Sequence, residues 1–491
     1  MSTSGLDVKP MSRVQMAYKI KEAMDNVEDE NLPLHLALDR DYIEYLQKML
    51  YRLMDEFRQE LVLVGATAAQ LKSSDEATVL DKYIKMNAGS PVKTEHRYAK
   101  VGSRKDTLLE NENGLRLRDG YNLRVRAYPW ATIHDMATLS ATPEFRLTDS
   151  GNQLFFEELA AKFSVSNLEL TAGRSAMWWG PGYHGSMLLS NNAKPLDLVR
   201  FQTIKNFRLP WGLEKIGSFG VDFFVSQLEK DRTVQKPKFG GLRLEYSPLR
   251  CLTLSANRTA IFGGKGRPKL HFHDYMRIFT GTNDLNQDTD KNNADQLASF
   301  GARLAIPLRP EARIASGVEL YGEWAGEDKF APWENESPGF LTGMFLTDVL
   351  NNDGTDLRVE YAKNKSGWYN HGIYDAAGTG TAYTYKGEII GHHMGGDADD
   401  LFLRLSKEVP FLTTPFFNFV KVGAQLDLER HGISLDVTEK RTQIVADITW
   451  CHFDAVLFAL RYEFEDYRDF GYESGKRSQN NIFLTEVDFK F

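Results

Sequence analysis

The feature that most constrains the fold is an alternation of apolar and polar residues, with a period of two, that recurs from about residue 110 to the last residue. In the last of these segments one face carries Phe483, Thr485, Val487, Phe489 and Phe491. The other face carries Leu484, Glu486, Asp488 and Lys490. Because successive side chains of a β-strand point to opposite faces, the pattern predicts strands that are apolar on one side and polar on the other.

The length of these segments separates two kinds of all-β protein. Strands of soluble sandwiches usually have about five or six residues, whereas the segments here extend over about eight to eleven, as in outer-membrane barrels. A terminal aromatic residue on an alternating strand, here Phe491, resembles the signal by which outer-membrane proteins are recognised for insertion. The sequence therefore predicts an all-β transmembrane barrel of antiparallel strands in the outer membrane.

Composition excludes two other classes of protein. The 491 residues contain no apolar run of 18, so a transmembrane helix is excluded. The formal net charge is −8, so the chain lacks the overall positive field of a nucleic-acid-binding protein, and no nucleic acid partner is expected. We expect Cys251 and Cys451 to be free thiols, because they lie at turns about half a barrel apart, beyond the reach of a disulfide.

The first hundred residues follow a different period. Apolar residues recur at helical spacing between charged ones at Leu38, Tyr42, Tyr45, Leu46, Leu50, Met54 and Phe57. Residues 14–24 form another helical stretch, and Ser73 with Glu76 fits a capping box at a helix start. These patterns predict about three helices within residues 11–86. We therefore predict an N-terminal α-helical bundle over residues 1–100, which plugs the periplasmic opening, and a barrel over residues 101–491.

Strand counting leaves two totals open. Eighteen segments from Tyr121 onward carry the strand pattern, and loops 176–198, 262–297 and 466–479 are long. Outer-membrane barrels have short turns on the periplasmic side and long loops outside. Strict alternation of short turns and long loops then requires one more strand before Tyr121, with 114–118 as the candidate. It also requires that one strand near 365–400, where 388–395 carries the strand pattern, is either missing from the count or not in the wall. The prediction is eighteen strands, with twenty as the alternative.

A specific motif lies between two predicted strands. Residues 173–182 read GRSAMWWGPG, and residues 190–195 read SNNAKP. This constellation resembles the Wzi family of outer-membrane capsule-assembly proteins. Two weaker stretches are also similar to that family: residues 385–397, which include His392 and His393, and residues 319–324 (ELYGEW). The resemblance covers roughly residues 100–491.

The resemblance implies a fold and a function. It implies an eighteen-stranded barrel with a helical bundle at the periplasmic mouth, which acts as a lectin for capsular polysaccharide and helps attach or assemble it at the cell surface. It also implies that the protein is not an enzyme. The alternative is a porin or transport channel, or a barrel sheath for a partner protein, because eighteen strands enclose enough space for water.

The residues of the first motif suit a sugar ligand. Trp178, Trp179 and Tyr183 offer aromatic faces on which sugar rings stack, and an indole N–H can also donate a hydrogen bond. Asn191 and Asn192 offer paired amide donors and acceptors for hydroxyl groups. The alternative, which we favour slightly for the tryptophans, is that the segment folds into the lumen and packs it shut.

A basic group lies in a second long loop. Lys265, Arg267 and Lys269 are spaced by Gly and Pro, and they could contact an acidic polysaccharide or the phosphates of lipopolysaccharide. The alternative is a solvated loop without a ligand. The predicted partners are therefore surface polysaccharide, outer-membrane lipid and lipopolysaccharide, and we expect the barrel to be a monomer.

Other constellations give no catalytic or metal site. His271 and His273 lie in a long loop without a second ligand pair, and Asp288 begins a calcium-like loop that lacks its Gly and Glu positions. His392 and His393 are adjacent, so on a strand they would face opposite ways. No Walker loop, G-x-S-x-G or H-E-x-x-H motif is present. We therefore expect no metal, no cofactor and no catalytic residue.

Overall fold

The computed structural model describes the chain over most of its length. The described residues are 7–9, 11, 13–28, 50, 53–54, 57, 61, 64, 66, 87–89, 92–102, 106–133, 136–280, 294–308, 314–327, 338–351, 354–369, 374, 382–409, 419–452 and 456–489.

Eighteen strands within the described residues form a closed antiparallel barrel, as the sequence predicts. They are β1 (Val92–Lys100), β2 (Gly120–Ala127), β3 (Ala137–Thr148), β4 (Gly151–Val165), β5 (Leu168–Ser175), β6 (Leu196–Thr203), β7 (Ser218–Gln227), β8 (Lys238–Leu249), β9 (Leu252–Phe262), β10 (Asp295–Pro307), β11 (Gly317–Glu327), β12 (Gly339–Thr347), β13 (Thr355–Lys363), β14 (Ala398–Glu408), β15 (Phe419–His431), β16 (Glu439–His452), β17 (Val456–Arg468) and β18 (Arg477–Phe489). Each strand pairs with the next, and β18 pairs with β1, so the wall has no free edge.

Two short strands continue the wall without adding to its number. Asn87–Gly89 precedes β1, and it pairs with Trp130–Ile133, which follows β2 and pairs with β3. Asn87–Gly89 therefore continues β1, and Trp130–Ile133 continues β2, each after a break in the strand.

The structure decides two points that the strand count left open. Residues 388–395 are not in the wall, since only Glu388–Ile389 is extended there, paired with Thr384–Tyr385. The strand before Tyr121 is β1 rather than 114–118, because Arg116–Arg118 forms a separate hairpin with Asp106–Leu108. The first long strand of the wall thus begins at residue 92, before the predicted boundary at 101. Charged or polar residues on both faces of VKTEHRYAK weaken the apolar contrast by which the other strands are recognised.

The alternation of the strands sorts side chains between lipid and lumen. In β6, Val199 and Phe201 face outward with exposed fractions of 53% and 40%. Their neighbours Arg200 and Gln202 are buried in the lumen at 4% and 3%. Outward apolar and inward polar residues are the arrangement of a barrel in a membrane. Phe491 lies outside the described residues.

The two ends of the barrel differ in the length of their connections. Residues 166–167 and 250–251 are tight turns at one end, the short-turn end, at which β1 also begins and β18 finishes. The connections 176–195, 263–294 and 364–397 lie at the opposite end, the long-loop end. By the rule for outer-membrane barrels, the short-turn end is periplasmic and the long-loop end is external.

Helix α1 (Arg13–Glu28) lies at the short-turn end, where Lys205 stacks over Tyr18 at 4.9 Å. Its buried residues Ala17, Ile20 and Met24 pack against Met54, Phe57 and Leu61. The predicted bundle of three helices is not confirmed, because α1 is the one continuous helix among the described residues before β1. Of the second helical pattern, 38–57, the described residues Leu50 and Met54 are helical, whereas residues 38–49 and the pattern at 73–80 lie outside the described residues.

A second helix, α2 (Phe272–Thr280), lies in the connection between β9 and β10. Among the described residues, neither helix is long and apolar enough to cross a membrane. Cys251 and Cys451 are free thiols, as predicted.

Closure of the barrel by β1 and β18 can be tested with a disulfide. His96 and Thr485 are paired across this seam and both point outward. Paired residues of antiparallel strands have Cα atoms about 4.5–5.5 Å apart, within disulfide range. We expect H96C/T485C, in a chain carrying C251S and C451S, to form a bond that peptide mass mapping detects. The matched control H96C/F483C, displaced by two residues, should remain reduced; a bond in the control alone would contradict the register.

Candidate functional site: the lumenal plug and the outer basic surface

Connections from the long-loop end fold back into the barrel and fill its lumen. We call residues 176–195, 364–369 and 382–397 the lumenal plug. Its buried apolar residues form one core with inward residues of the wall, which includes Met177, Trp179, Met187, Leu188, Leu189, Phe224, Phe239, Leu297, Tyr321, Trp368, Tyr369 and Tyr383. A barrel of eighteen strands is too wide for its own side chains to fill, so the plug supplies the missing core.

Trp179 is the centre of this core and is fully buried. Its indole Nε1 donates to Asp222 of β7 at 2.8 Å, and its ring meets the edge of Phe224 at a centroid distance of 5.1 Å. A Cβ at Gly241 of β8 would lie 2.6 Å from ring atom Cζ3, so only glycine lets the wall approach the indole this closely. The ring is therefore occupied by protein contacts.

Trp178 is also buried and contacts the N-terminal segment. Val8–Lys9 forms a two-stranded ladder with Trp178–Trp179, and Lys9 Nζ stands 4.5 Å over the Trp178 ring. Two effects lower the pKa of Lys9: its burial, which is the larger, and the positive charge of the nearby Arg303 guanidinium. The face of Trp178 that could stack on a sugar is thus covered by a lysine of the same chain.

Residues 180–182 (GPG) make the turn after the tryptophans, as their residue types predict. Gly180 has φ 143°, which glycine adopts far more readily than other residues, and its N–H donates to the carbonyl of Asp7 at 3.0 Å. Arg303 of β10 donates to the carbonyl of Pro181 at 2.7 Å and to the carboxylate of Asp7 at 2.5 Å. One wall arginine therefore fixes both the turn and the N-terminal segment.

Carboxylates of the wall hold the backbone of the plug. Glu360 of β13 accepts hydrogen bonds from the amides of residues 183–185 at 2.7, 3.0 and 3.1 Å. Glu323 of β11 accepts from the amide of Met187 at 3.0 Å. Buried amides away from any strand ladder need such partners. These carboxylates thus have a structural use.

The predicted amide pair divides between the interior and the surface. Asn192 is buried, and its Nδ2 donates to the carbonyl of Ile389 at 3.1 Å. Asn191 is half-buried, and its carbonyl accepts from the amide of Asn113 at 2.7 Å. Tyr183 is partly exposed, with Arg358 over its ring at 4.5 Å. Of the first-loop candidates, only Asn191 and Tyr183 keep accessible surface.

The predicted basic residues lie at the long-loop end, on the surface. Lys265 and Lys269 are exposed, whereas Arg267 is half-buried beside Tyr374. Burial raises the pKa of Tyr374 to about 12, so its phenol is neutral at physiological pH and does not offset the positive charge of Arg267.

The fold adds a second basic loop that the sequence argument missed. The amide of Lys265 donates to the carbonyl of Gln235 at 2.8 Å, which joins residues 263–270 to residues 228–237. The second loop brings exposed Lys230 and Lys236. We call the combined set of Lys230, Lys236, Lys265, Arg267 and Lys269 the outer basic surface. The sequence shows that residues 228–238 (LEKDRTVQKPK) are rich in lysine. It does not show that this segment lies beside Lys265, Arg267 and Lys269.

The two histidine motifs differ in their surroundings. His271 and His273 are exposed at the start of α2, where Asp274 accepts from the amide of His271 at 2.8 Å. His392 and His393 do not face opposite ways as predicted, because they lie in a loop and not on a strand. Their rings are 4.5 Å apart, and both side chains are buried. The calcium-like segment at Asp288 lies outside the described residues.

The sequence profile of the capsule assembly protein Wzi matches residues 92–482, which is the barrel with its plug. The chain belongs to the Wzi family of capsule assembly proteins. A curated relative from Klebsiella pneumoniae, an uncharacterised 55.8 kDa protein of the cps region, is 29% identical over 206 residues, which span 41% of this chain and 37% of that protein.

Solved structures show the same fold. The Escherichia coli outer-membrane protein Wzi, described as a carbohydrate-binding β-barrel involved in group 1 capsule assembly, superposes with a TM-score of 0.66 at 14% identity, covering 100% of this chain and 95% of that one. Pseudomonas aeruginosa OccK3 (OpdO) superposes with a TM-score of 0.50 at 10% identity, covering 84% and 97%. The family and the barrel architecture confirm the predicted outer-membrane localisation.

Replacement of Trp179 tests whether the plug depends on this ring. We expect W179A to lower the free energy of unfolding by about 3–5 kcal/mol, since it removes a large buried aromatic side chain. Chemical denaturation of the refolded barrel would measure the change. The matched control is W211A, because Trp211 is 93% exposed at the short-turn end, and its effect should stay within about 0.5 kcal/mol. Equal effects of the two substitutions would contradict a packing role for Trp179.

Proposed function

We propose that this protein binds an acidic capsular or other surface polysaccharide at the long-loop end of the barrel and helps attach or assemble it at the cell surface. The observation that carries the proposal is the outer basic surface, where two neighbouring loops present four exposed lysines and one arginine. Membership of the capsule assembly family and the fold shared with a carbohydrate-binding barrel support it.

The shape and charge of this surface suit a polymer better than a small ligand. Lysines spread over two loops can meet successive charged groups of an extended chain, and each contact is weak because water screens it. The protein as a whole carries a net charge of −8, so the basic surface is a local exception that would orient an acidic ligand. Affinity would then come from repetition along the polymer.

The candidate residues take different roles in this proposal. We assign ligand contact to Lys265, Arg267 and Lys269, with Lys230 and Lys236 added from the structure. Because their polar atoms and ring faces contact protein, Trp178, Trp179 and Asn192 support the loop that borders the site. We propose Tyr183 and Asn191 as secondary contacts, because each keeps accessible surface.

The lumenal plug argues against the alternative of a wide channel or a sheath for a partner protein. Its apolar core joins residues 176–195 and 382–397 to the wall on several sides, so the space that a porin leaves to water is filled with side chains. We also propose that the protein has no catalytic activity, since the lumenal carboxylates of β11 and β13 hold loop amides.

We propose further that the outward apolar band contacts outer-membrane lipid and lipopolysaccharide, and that the barrel acts as a monomer. Closure of the wall within one chain supports the monomer, because it leaves no strand edge for pairing with another copy.

Charge reversal tests the binding surface. We expect K265E/R267E/K269E to retain at least about tenfold less acidic polysaccharide than the wild type at low ionic strength, because attraction is replaced by repulsion where screening is weakest. Binding of purified protein to immobilised acidic capsular polysaccharide, compared across salt concentrations, measures the effect.

The matched control reverses three cations at the short-turn end, in R208E/K215E/R250E, and thus changes the net charge equally. It should bind as the wild type does. If the two triple variants bind alike, the long-loop end is not the binding site. A glycan array with neutral and acidic polymers would separate recognition of charge from recognition of hydroxyl pattern.

We propose that the part of residues 1–100 that precedes the wall strands forms a periplasmic plug. Two contacts support it: α1 lies at the short-turn end beside Lys205, and Val8–Lys9 reaches the tryptophans of the lumenal plug. Helix α1 also lines a cleft of about 930 Å³ with residues 202–208 and 243–250. This cleft is the space that a plug at this end would cover.

Deletion of residues 11–86 tests the periplasmic plug. We expect a higher single-channel conductance in planar bilayers, because the deletion removes α1 and opens the short-turn end. A deletion of residues 370–381, which shortens a connection at the opposite end, serves as the comparison. If deletion of residues 11–86 leaves the current unchanged, the lumenal plug alone closes the barrel and the N-terminal region has another role.

A further inference from the structure

Three connections and two wall strands bring histidines and carboxylates together inside the barrel. The connection after β1 contributes Glu110, the lumenal plug contributes His184 and His393, and strand β15 contributes Asp427 and Glu429. One donor atom from each of these five residues lies within 4.8 Å of the others. Asp400 of β14 borders the same group from the other side.

The distances between these atoms are those of ligands around one ion. His184 Nε2 lies 3.4 Å from Asp427 Oδ2 and 3.5 Å from Glu110 Oε2. His393 Nε2 lies 3.1 Å from Glu429 Oε1 and 3.9 Å from Glu110 Oε2. A tetrahedral site with bonds of about 2.0–2.1 Å places its ligands about 3.3–3.4 Å apart. The cluster therefore already has the spacing of a coordination shell.

The Nε2 atoms of both histidines lie next to carboxylate oxygens of the cluster. Nε2 of His184 and of His393 is buried and completes no hydrogen bond among the described residues, although each has carboxylate oxygens on several sides. A single N–H can point at only one of these oxygens. Buried polar atoms without partners are rare in folded proteins, and both nitrogens point into the group formed by Glu110, Asp427 and Glu429.

The charge of the cluster also calls for a cation. Glu110, Asp400, Asp427 and Glu429 bring four carboxylates, and Arg441 of β16 contacts three of them, Glu110, Asp427 and Glu429. If both imidazoles are neutral and all four carboxylates are ionised, Arg441 leaves three negative charges uncompensated, which is costly away from water. A divalent ion removes most of that excess while each carboxylate oxygen keeps a lone pair for Arg441.

The surroundings orient one of the ligands, Glu429, as in known metal sites. Glu429 uses its second oxygen, Oε2, to contact His431 Nε2 at 2.6 Å, so that Oε1 faces His393. The carbonyl of His184 accepts from Asn111 at 2.5 Å, next to Glu110 in the chain. Outer contacts of this kind fix the direction of metal-binding side chains.

We propose that His184, His393, Glu110, Asp427 and Glu429 bind one divalent transition-metal ion inside the barrel. Two imidazole nitrogens with carboxylate oxygens favour zinc and its neighbours over magnesium or calcium, which prefer oxygen alone. Bound there, the ion ties the connection after β1 and two segments of the lumenal plug to strand β15. This inference is independent of the polysaccharide proposal, because the cluster lies inside the barrel and the outer basic surface lies outside.

Metal binding by the full-length protein tests the proposal. Detergent-purified barrel is stripped with chelator and titrated with zinc chloride by calorimetry, and the bound metal is quantified by mass spectrometry. We expect one ion per chain and a rise in thermal stability on zinc addition. Cobalt substitution should give the visible absorption of a four- or five-coordinate nitrogen and oxygen site.

Variants assign the site to these residues. H393Q should lower zinc affinity at least about tenfold, since even loss of an outer contact to a metal ligand costs this much, and H184Q/H393Q should remove stoichiometric binding. H273Q is the matched control, because His273 is exposed on α2, and it should bind as the wild type does. Heat-modifiable gel mobility identifies folded variants, and D427N provides a second variant if H393Q does not fold.

Two kinds of result would overturn the inference, one from zinc binding and one from thermal stability. One is the absence of saturable zinc binding by the wild type, or equal binding by the wild type and a folded H393Q. The other is a thermal stability that rises on acidification to about pH 5 and does not respond to zinc, which would show that protonated histidines balance the carboxylates.

Discussion

The rest of the structure depends on a geometric constraint: a wall of eighteen strands encloses more space than its own side chains can fill. Water would fill that space in a channel. Here residues 176–195 and 382–397 fold inward and form an apolar core with wall residues such as Phe224 and Leu297. The family motif lies at the centre of this core, so its tryptophans are needed for packing before they can serve any ligand.

A plug made of loops has many backbone amides without a strand partner, and the wall provides acceptors for them. Glu323 and Glu360 accept from plug amides, and Arg303 donates to the carbonyl of Pro181. The inward charged residues that keep a barrel lumen polar thus also form the hydrogen bonds that hold the backbone of an apolar plug. The cluster around His184 and His393 extends this principle, with an ion in place of a backbone amide.

Most of the fold could be predicted from the sequence, and the failures have a common cause. Strands such as β6 and β18 were recognisable because one face meets lipid and the other the lumen, which imposes a strict period of two. β1 was missed because both of its faces carry polar residues, and the place of residues 388–395 stayed open because a buried loop can also alternate. Of the outer basic surface, the trio is evident from the sequence, whereas Lys230 and Lys236 are not, since nothing local shows that their loop lies beside Lys265.

The sequence by itself determined the class of the protein: its alternating strands, its lack of an apolar helix and its WWGPG motif define an outer-membrane barrel of the capsule assembly family.

The tertiary structure alone decided what the motif residues do. Trp178 and Trp179 have surfaces equally suited to a sugar or to a protein core, and only their burial against Lys9 and Asp222 shows that protein contacts use them. His392 and His393 likewise required the fold, because side chains from distant segments meet around them only once the loops turn inward. Local pattern fixes the face of a strand, whereas contacts between distant segments follow from the closure of the wall and the filling of its lumen.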